Sequence, residues 1–181
     1  MLLDLARVRF AGDRVERRYQ PAVCMAAMAE LQAADFTVAS PVDLAFDIHK
    51  RDDEYRLVGR VSTTLEFTCS RCLEPFALAV AGEFDLRYLS QAVNAGAGER
   101  EVEADDLAVA YYCDEVIDLG HLMSEQFYLA MPMKPLCAAG CRGLCPACGA
   151  NLNRASCECD TSWHDPRLEG LRAMLETRRS E

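Results

Sequence analysis

Six cysteines lie close together near the end of the sequence, and thiolates are ligands that zinc and iron bind well. They fall in the segment PLCAAGCRGLCPACGANLNRASCEC. Its centre, CPACG, has the shape of a zinc knuckle: two intervening residues let Cys145 and Cys148 reach one ion, and Gly149 lets the chain fold back beneath the sulfurs. The sequence therefore predicts a structural metal site, with candidate ligands Cys137, Cys141, Cys145, Cys148, Cys157 and Cys159.

The spacing leaves the full ligand set open. Cys145 and Cys148 need two more ligands, which either Cys137 with Cys141 or Cys157 with Cys159 supplies. Six thiolates also suffice for two ions that share sulfurs, and His164 is either a spare nitrogen ligand or a capping residue. Tight spacing favours zinc, with an iron–sulfur cluster as the alternative. A closed site of four thiolates holds structure and does not activate water.

A second cysteine motif, Thr68-Cys69-Ser70-Arg71-Cys72, lies at the tip between two predicted strands. Three interpretations stay open: a turn with small buried thiols, half of a metal site, or a redox pair. A thioredoxin-like motif opens a helix, whereas another strand follows here, so redox chemistry is disfavoured. Arg71 is the natural contact residue of this tip for RNA or a protein. Cys24 and Cys113 stand alone and are interpreted as core residues.

Charge restricts the function classes. The net charge is −10, so the chain as a whole lacks the basic footprint of a nucleic-acid-binding protein. Residues 97–118 hold eight acidic residues against one arginine, while the cysteine-rich end is nearly balanced and permits an RNA contact. There, Arg142, Asn151, Asn153 and Arg154 can donate to phosphates or base edges, although asparagines also make local turn bonds. No catalytic motif is found, so no enzyme is expected.

Alternating apolar residues predict the fold. Three successive alternating segments, at residues 42–48, 57–69 and 76–88, indicate an antiparallel meander. Gly59 and Gly82 interrupt the second and third segments and mark bends or bulges. We expect an α+β protein: an antiparallel β-meander packed by helices, with a cysteine-rich metal-binding C-terminal segment. The predicted domains are 1–132, containing a flexible acidic loop at 90–106, and 133–181.

Helix signals flank the meander. Residues 22–34 are rich in alanine, and an amphipathic helix is predicted to begin near Asp118. Asp165-Pro166 is typical of a helix start, with Leu168, Leu171, Met174 and Leu175 as the buried face of a terminal helix. No apolar run reaches the roughly 20 residues that span a bilayer, and the first residues do not resemble a signal peptide, so a cytoplasmic protein is expected.

The order of these motifs resembles the YceD family, the large ribosomal RNA subunit accumulation proteins. The resemblance covers about residues 40–175. It rests on TCSRCLEPF (Thr68–Phe76), EQFYLAMPMKPLCAAGCRGLCPACGANLN (Glu125–Asn153), CEC (Cys157–Cys159) and DPRLEGL (Asp165–Leu171).

The resemblance implies a cytoplasmic bacterial protein, or an organellar relative, that supports accumulation of large-subunit (23S) rRNA. It assigns Cys69, Arg71 and Cys72 to a turn motif and the six C-terminal cysteines to a metal module. We expect a non-catalytic ribosome-biogenesis factor that binds precursor rRNA or an assembling subunit, or contacts a basic ribosomal protein. The alternatives are a zinc-stabilised protein-interaction module without RNA contact and an RNA-acting enzyme with loop 90–106 as its lid.

Overall fold

The computed structural model describes residues 1–8, 12–28, 36–91, 108–160, 165–170 and 174. Within them, eight strands and two α-helices form an α+β protein in which antiparallel pairing dominates, which confirms the predicted fold class. The strands are β1 (Leu2–Asp4), β2 (Asp13–Tyr19), β3 (Phe36–Val38), β4 (Val42–Arg51), β5 (Glu54–Thr68), β6 (Pro75–Ser90), β7 (Val109–Tyr112) and β8 (Val116–Asp118). The helices are α1 (Pro21–Met28) and α2 (Leu119–Ala130), and Leu5–Arg7 and Pro166–Leu168 are short 3-10 helices.

The predicted meander is the centre of the larger sheet. Strands β4, β5 and β6 pair antiparallel in chain order, and Asp52, with φ of 52°, lies in the tight turn between β4 and β5. Strand β2 extends the sheet beyond β4, β3 pairs with β5, and β7 pairs parallel with β6. Strands β1 and β8 form a separate two-stranded sheet. Alternate side chains of β4 and β5 are buried, which is why the period of two in the sequence identified these strands.

Gly59 makes room for two aromatic rings. It lies opposite Phe46 on β4 and Phe84 on β6, whose ring centroids are 6.3 Å apart. A Cβ at Gly59 would lie only 2.3 Å from the Cβ of Phe46. The strand register runs through Gly59 and Gly82 without an inserted residue, so neither glycine is a β-bulge.

Helix α2 packs against β6 and completes the core. It begins where the sequence predicts, because the Asp118 carboxylate accepts a hydrogen bond from the Gly120 N–H at 2.7 Å and caps the first turn. One face of this helix is buried, as an amphipathic helix requires: Leu119, Leu122, Met123, Gln126 and Phe127 are buried, and Ala130 is partly buried. Leu122, Met123 and Phe127 lie in one cluster with the apolar side chains of the sheet.

The chain divides into two compact units. The first, Met1–Cys69 with Glu74–Cys137, contains both sheets and both α-helices. The second, Ser70–Leu73 with Ala138–Glu181, contains in its described part turns, one isolated β-bridge, the short 3-10 helix and α-helical residues at Glu169, Gly170 and Met174. This second unit holds the CPACG knuckle.

Several predictions differ from the structure or fall outside it. Asp165 does cap a turn, since its carboxylate accepts from the Arg167 N–H, but Leu168 and Met174 are exposed rather than buried. Cys113, predicted in the core, is exposed, whereas Cys24 is buried as expected. Some predictions concern residues outside the described ones: most of loop 90–106, residues 29–34 of the first predicted helix, His164, Leu171 and Leu175.

Candidate metal centre

The CPACG knuckle folds back on itself through main-chain hydrogen bonds. The Gly149 N–H donates to the Cys145 carbonyl, and the Cys145 N–H donates to the Ala150 carbonyl, both at 2.8 Å. Gly149 has φ of +72°, a conformation that glycine adopts without steric cost. An isolated bridge between Leu144 and Asn151 closes the turn. The glycine therefore has the role that the sequence predicts: it turns the chain beneath the sulfurs.

The knuckle cysteines are brought together with the last two cysteines of the chain. The sulfur atoms of Cys145, Cys148, Cys157 and Cys159 all lie within 4.8 Å of one another. A tetrahedral zinc with Zn–S bonds of about 2.3 Å requires sulfurs about 3.8 Å apart. The spacing of the four sulfurs is compatible with this geometry, so the group could hold a metal ion.

Two thiols of this group, those of Cys145 and Cys159, have shifted pKa values. The main-chain N–H groups of Cys148 and Ala147, followed by the Cys157 thiol, lower the pKa of Cys145 to about 6, because they stabilise its thiolate. The thiol of Cys159 shares hydrogen bonds first with Cys148 and then with Cys157, which raises its pKa to about 12. Without a cation, the four thiols cannot all be ionised at neutral pH. A bound divalent ion removes this obstacle by neutralising the developing charge.

A second group contains the remaining four clustered cysteines. The sulfur atoms of Cys69, Cys72, Cys137 and Cys141 also lie within 4.8 Å of one another, and all but Cys137 are buried. Among the described residues, these are the two groups of cysteines that could hold a metal ion. The structure thus divides the six predicted C-terminal ligands between two separate groups. Spacing alone did not reveal this, because Cys72 and Cys137 are far apart in sequence.

Arg71 contacts its own chain. Its guanidinium donates to the Cys141 carbonyl at 2.9 Å, and its carbonyl accepts from the Leu144 N–H at 3.1 Å. Gly143, with φ of +73°, allows this close approach, because a Cβ there would lie 3.0 Å from the Arg71 carbonyl oxygen. The arginine that the sequence singled out as a contact residue therefore helps to hold the turn against residues 141–144.

The two asparagines make local turn hydrogen bonds. The side-chain oxygen of Asn151 accepts from the Asn153 main-chain N–H, and the side-chain oxygen of Asn153 accepts from the Arg142 main-chain N–H at 2.7 Å. The Asn153 amide also donates to the Cys141 sulfur at 3.3 Å. The side chains of Arg142 and Arg154 are exposed. Arg71 and Asn153 are exposed as well, but their side chains make the hydrogen bonds described above.

The described residues contain no helix that is both long and apolar enough to cross a membrane. Fold and site together define an α+β protein with clustered cysteines that could hold a metal ion. The chain belongs to the YceD family: the family model described as "Large ribosomal RNA subunit accumulation protein YceD" matches residues 57–175, more than half of the sequence.

Curated relatives agree with this assignment. The chain is 28% identical over 143 residues to the "Large ribosomal RNA subunit accumulation protein YCED homolog 1, chloroplastic" of Zea mays, covering 66% of this chain and 49% of that protein. The Arabidopsis thaliana protein of the same name is 25% identical over 146 residues, covering 69% and 46%. An uncharacterized protein of Mycobacterium tuberculosis is 28% identical over 111 residues, covering 61% and 51%. The chain spans about half the length of these relatives. No solved structure matches it.

Proposed function

We propose that this chain is a non-catalytic, cytoplasmic ribosome-biogenesis factor that supports accumulation of large-subunit rRNA by binding its precursor or the assembling subunit. The observation that carries the proposal is the family match over residues 57–175, which includes the CxRC turn and all six C-terminal cysteines. The relatives from Zea mays and Arabidopsis thaliana bear the same functional name. These names support a role connected with large-subunit rRNA.

The C-terminal module is proposed to contain a zinc ion held by Cys145, Cys148, Cys157 and Cys159. These residues supply four thiolates and leave no coordination position for water, so the ion stabilises the fold and does no chemistry. This segment is exposed and rich in turns, so it has little apolar core to stabilise it. The bound ion would supply that stability. Iron–sulfur ligation is the alternative, and visible absorption with inorganic sulfide in the purified protein distinguishes it from colourless zinc.

Charge bears on how the factor engages its target. The chain carries −10 before any metal binds, and each zinc held by four thiolates adds two further negative charges. Several exposed arginines of the first unit already pair with carboxylates, as in Arg14–Asp47, Arg18–Asp43 and Arg56–Asp85. These observations support the second candidate function, a zinc-stabilised module that docks on a basic ribosomal protein rather than on RNA.

Affinity purification of the tagged full chain tests the proposal. Precursors of large-subunit rRNA should co-purify in excess over small-subunit rRNA. Ribosomal proteins that co-purify with the chain are examined before and after nuclease treatment. Their loss indicates binding through RNA, whereas their retention favours direct docking on a protein. A purification that enriches neither precursor rRNA nor large-subunit proteins contradicts the proposal.

Direct RNA contact has its own signature. If Arg142 and Arg154 bind phosphates, RNA affinity falls steeply with salt concentration, and the double variant Arg142→Ala/Arg154→Ala reduces the slope of that dependence. The variant should retain its metal, because neither side chain is a ligand. Incubation of the pure protein with labelled precursor RNA should give no cleavage or modification; turnover there would contradict the non-catalytic assignment.

A further inference from the structure

We propose that one end of the exposed face of the larger sheet binds single-stranded RNA, with arginines on the phosphates and Tyr111 stacked on a base. The inference rests on the proposed function, because it assigns to the first unit a surface that contacts precursor rRNA. It is additional to any contact by Arg142 and Arg154, which belong to the second unit.

The exposed face of the sheet contains a basic hollow. It is open, has a volume of about 780 Å³ and is lined chiefly by ionisable side chains: His49, Arg51, Glu54, Arg56, Asp85 and Arg87. Three arginines against two carboxylates make the hollow net positive, although the whole chain carries −10. A local excess of positive charge on an acidic protein fits an anionic ligand.

The strand register places like charges side by side in this hollow. Arg56 on β5 lies directly opposite Arg87 on β6 and, on its other side, opposite His49 on β4. Like charges opposite each other destabilise paired strands, and Arg60 on the same face of β5 has the usual arrangement, with Glu83 opposite. A row of basic side chains that costs the sheet stability is a feature that an anionic ligand explains.

Two carboxylates orient the guanidinium groups. Arg56 donates to both oxygens of Asp85, and Arg87 donates to both oxygens of Glu54 at 2.8 and 3.0 Å. Such two-point contacts fix the guanidinium plane, and those of Arg56 use two of the five N–H groups that a guanidinium has. Arg51, opposite Glu54 in the register, is exposed and brings a third guanidinium to the hollow. Oriented guanidinium groups match the geometry of phosphate oxygens.

An aromatic ring lies on the same face. Strand β7 pairs parallel with β6, and Tyr111 lies directly opposite Leu89, two residues beyond Arg87. The side chain of Tyr111 is therefore on the arginine face and is 44% exposed, whereas Tyr112 packs edge-on against Tyr55 at 5.5 Å. Unpaired bases stack on exposed aromatic rings while basic groups contact their phosphates. This combination fits a single strand better than a duplex, whose bases are stacked inside.

The test is binding of a fluorescein-labelled oligouridylate of about 12 nucleotides to the full chain, followed by anisotropy at several salt concentrations. Arg51→Gln/Arg56→Gln should weaken binding and reduce the slope of log affinity against log salt by about 1.4, or about 0.7 for each phosphate contact. The matched control Arg18→Gln/Arg60→Gln removes the same charge from the same face, where each arginine lies opposite an acid, and should keep the wild-type slope. Equal slopes for the two double variants overturn the proposal.

Stacking has a separate readout. Tyr111→Ala should weaken binding roughly 5- to 150-fold, the loss of one stacked base, whereas Tyr111→Phe keeps the ring and should bind like wild type. Binding of Tyr111→Ala at wild-type affinity overturns the proposal. A polyglutamate peptide that displaces the RNA as well as unlabelled oligouridylate does also overturns it, because the surface then recognises an acidic protein.

A measurement on the unaltered chain covers variants that fail to fold. Ultraviolet crosslinking of wild type to the oligouridylate, with mass spectrometry of the peptides, should place a crosslink at Tyr111. Crosslinks confined to residues 138–160 overturn the proposal and leave RNA contact to the second unit. These failures are distinguishable from failure of the proposed function, in which the purification enriches neither precursor rRNA nor large-subunit proteins.

Discussion

Gly149 shows how one residue controls a metal turn. Its φ of +72° is easy for glycine, and no atom lies within 4 Å of where a Cβ would be, so Gly149→Ala introduces only backbone strain. We expect a cost of about 1 kcal/mol and a roughly fivefold loss of zinc affinity at the knuckle group, measured by competition with a chelator. Gly140→Ala is the control, because that site is equally open and lacks the positive φ. Equal losses in the two variants would contradict the account.

At the scale of the strands, Gly59 is predicted to be intolerant of any side chain. A Cβ would lie 2.3 Å from the Phe46 Cβ and 2.4 Å from the Ala45 carbonyl oxygen, so β4 and β5 must move apart. Gly59→Ala should lower the free energy of unfolding by about 1–3 kcal/mol, measured by denaturant titration. The matched control is Gly82→Ala, whose nearest neighbour is Gln126 at 3.5 Å. A Gly59 variant as stable as the Gly82 variant would contradict this packing.

The pair between Glu54 on β5 and Arg87 on β6 makes stability depend on pH. Hydrogen bonds from Arg87 at 2.8 and 3.0 Å lower the pKa of Glu54 in the folded protein. A carboxyl group with a lowered folded pKa stabilises the protein above its unfolded pKa of about 4.3, and this contribution disappears as pH falls through the folded pKa. The Arg87 side chain is 40% exposed, so solvent screening limits the effect.

Glu54→Gln should therefore reduce the free energy of unfolding by less than about 1 kcal/mol at pH 7. The difference from wild type should shrink as the pH is lowered below 4.3, because wild type then loses the same ion pair. Denaturant titrations at several pH values measure both effects, with Glu66→Gln on the same strand as the control. A difference that grows on acidification would show that the sign of the linkage is wrong.

For the whole molecule, local pattern predicted the meander and α2, because alternation and capping depend on neighbouring residues. The knuckle could also be predicted from the sequence, since Cys145, Cys148 and Gly149 lie within five positions. The grouping of Cys137 and Cys141 with Cys69 and Cys72 could not be predicted from the sequence, because it depends on how distant segments meet. The exposure of Leu168 was also missed, since an apolar residue beside a cap does not show whether a core lies against it.

The measurement that bears most directly on the central claim is the ratio of newly made large- to small-subunit rRNA in cells depleted of this protein. We expect the ratio to fall on depletion and to be restored by wild type and by Cys113→Ser. Cys148→Ser, which lacks a knuckle ligand, should restore it less well at equal protein level. An unchanged ratio on depletion would contradict the ribosomal role and leave a metal-stabilised interaction protein.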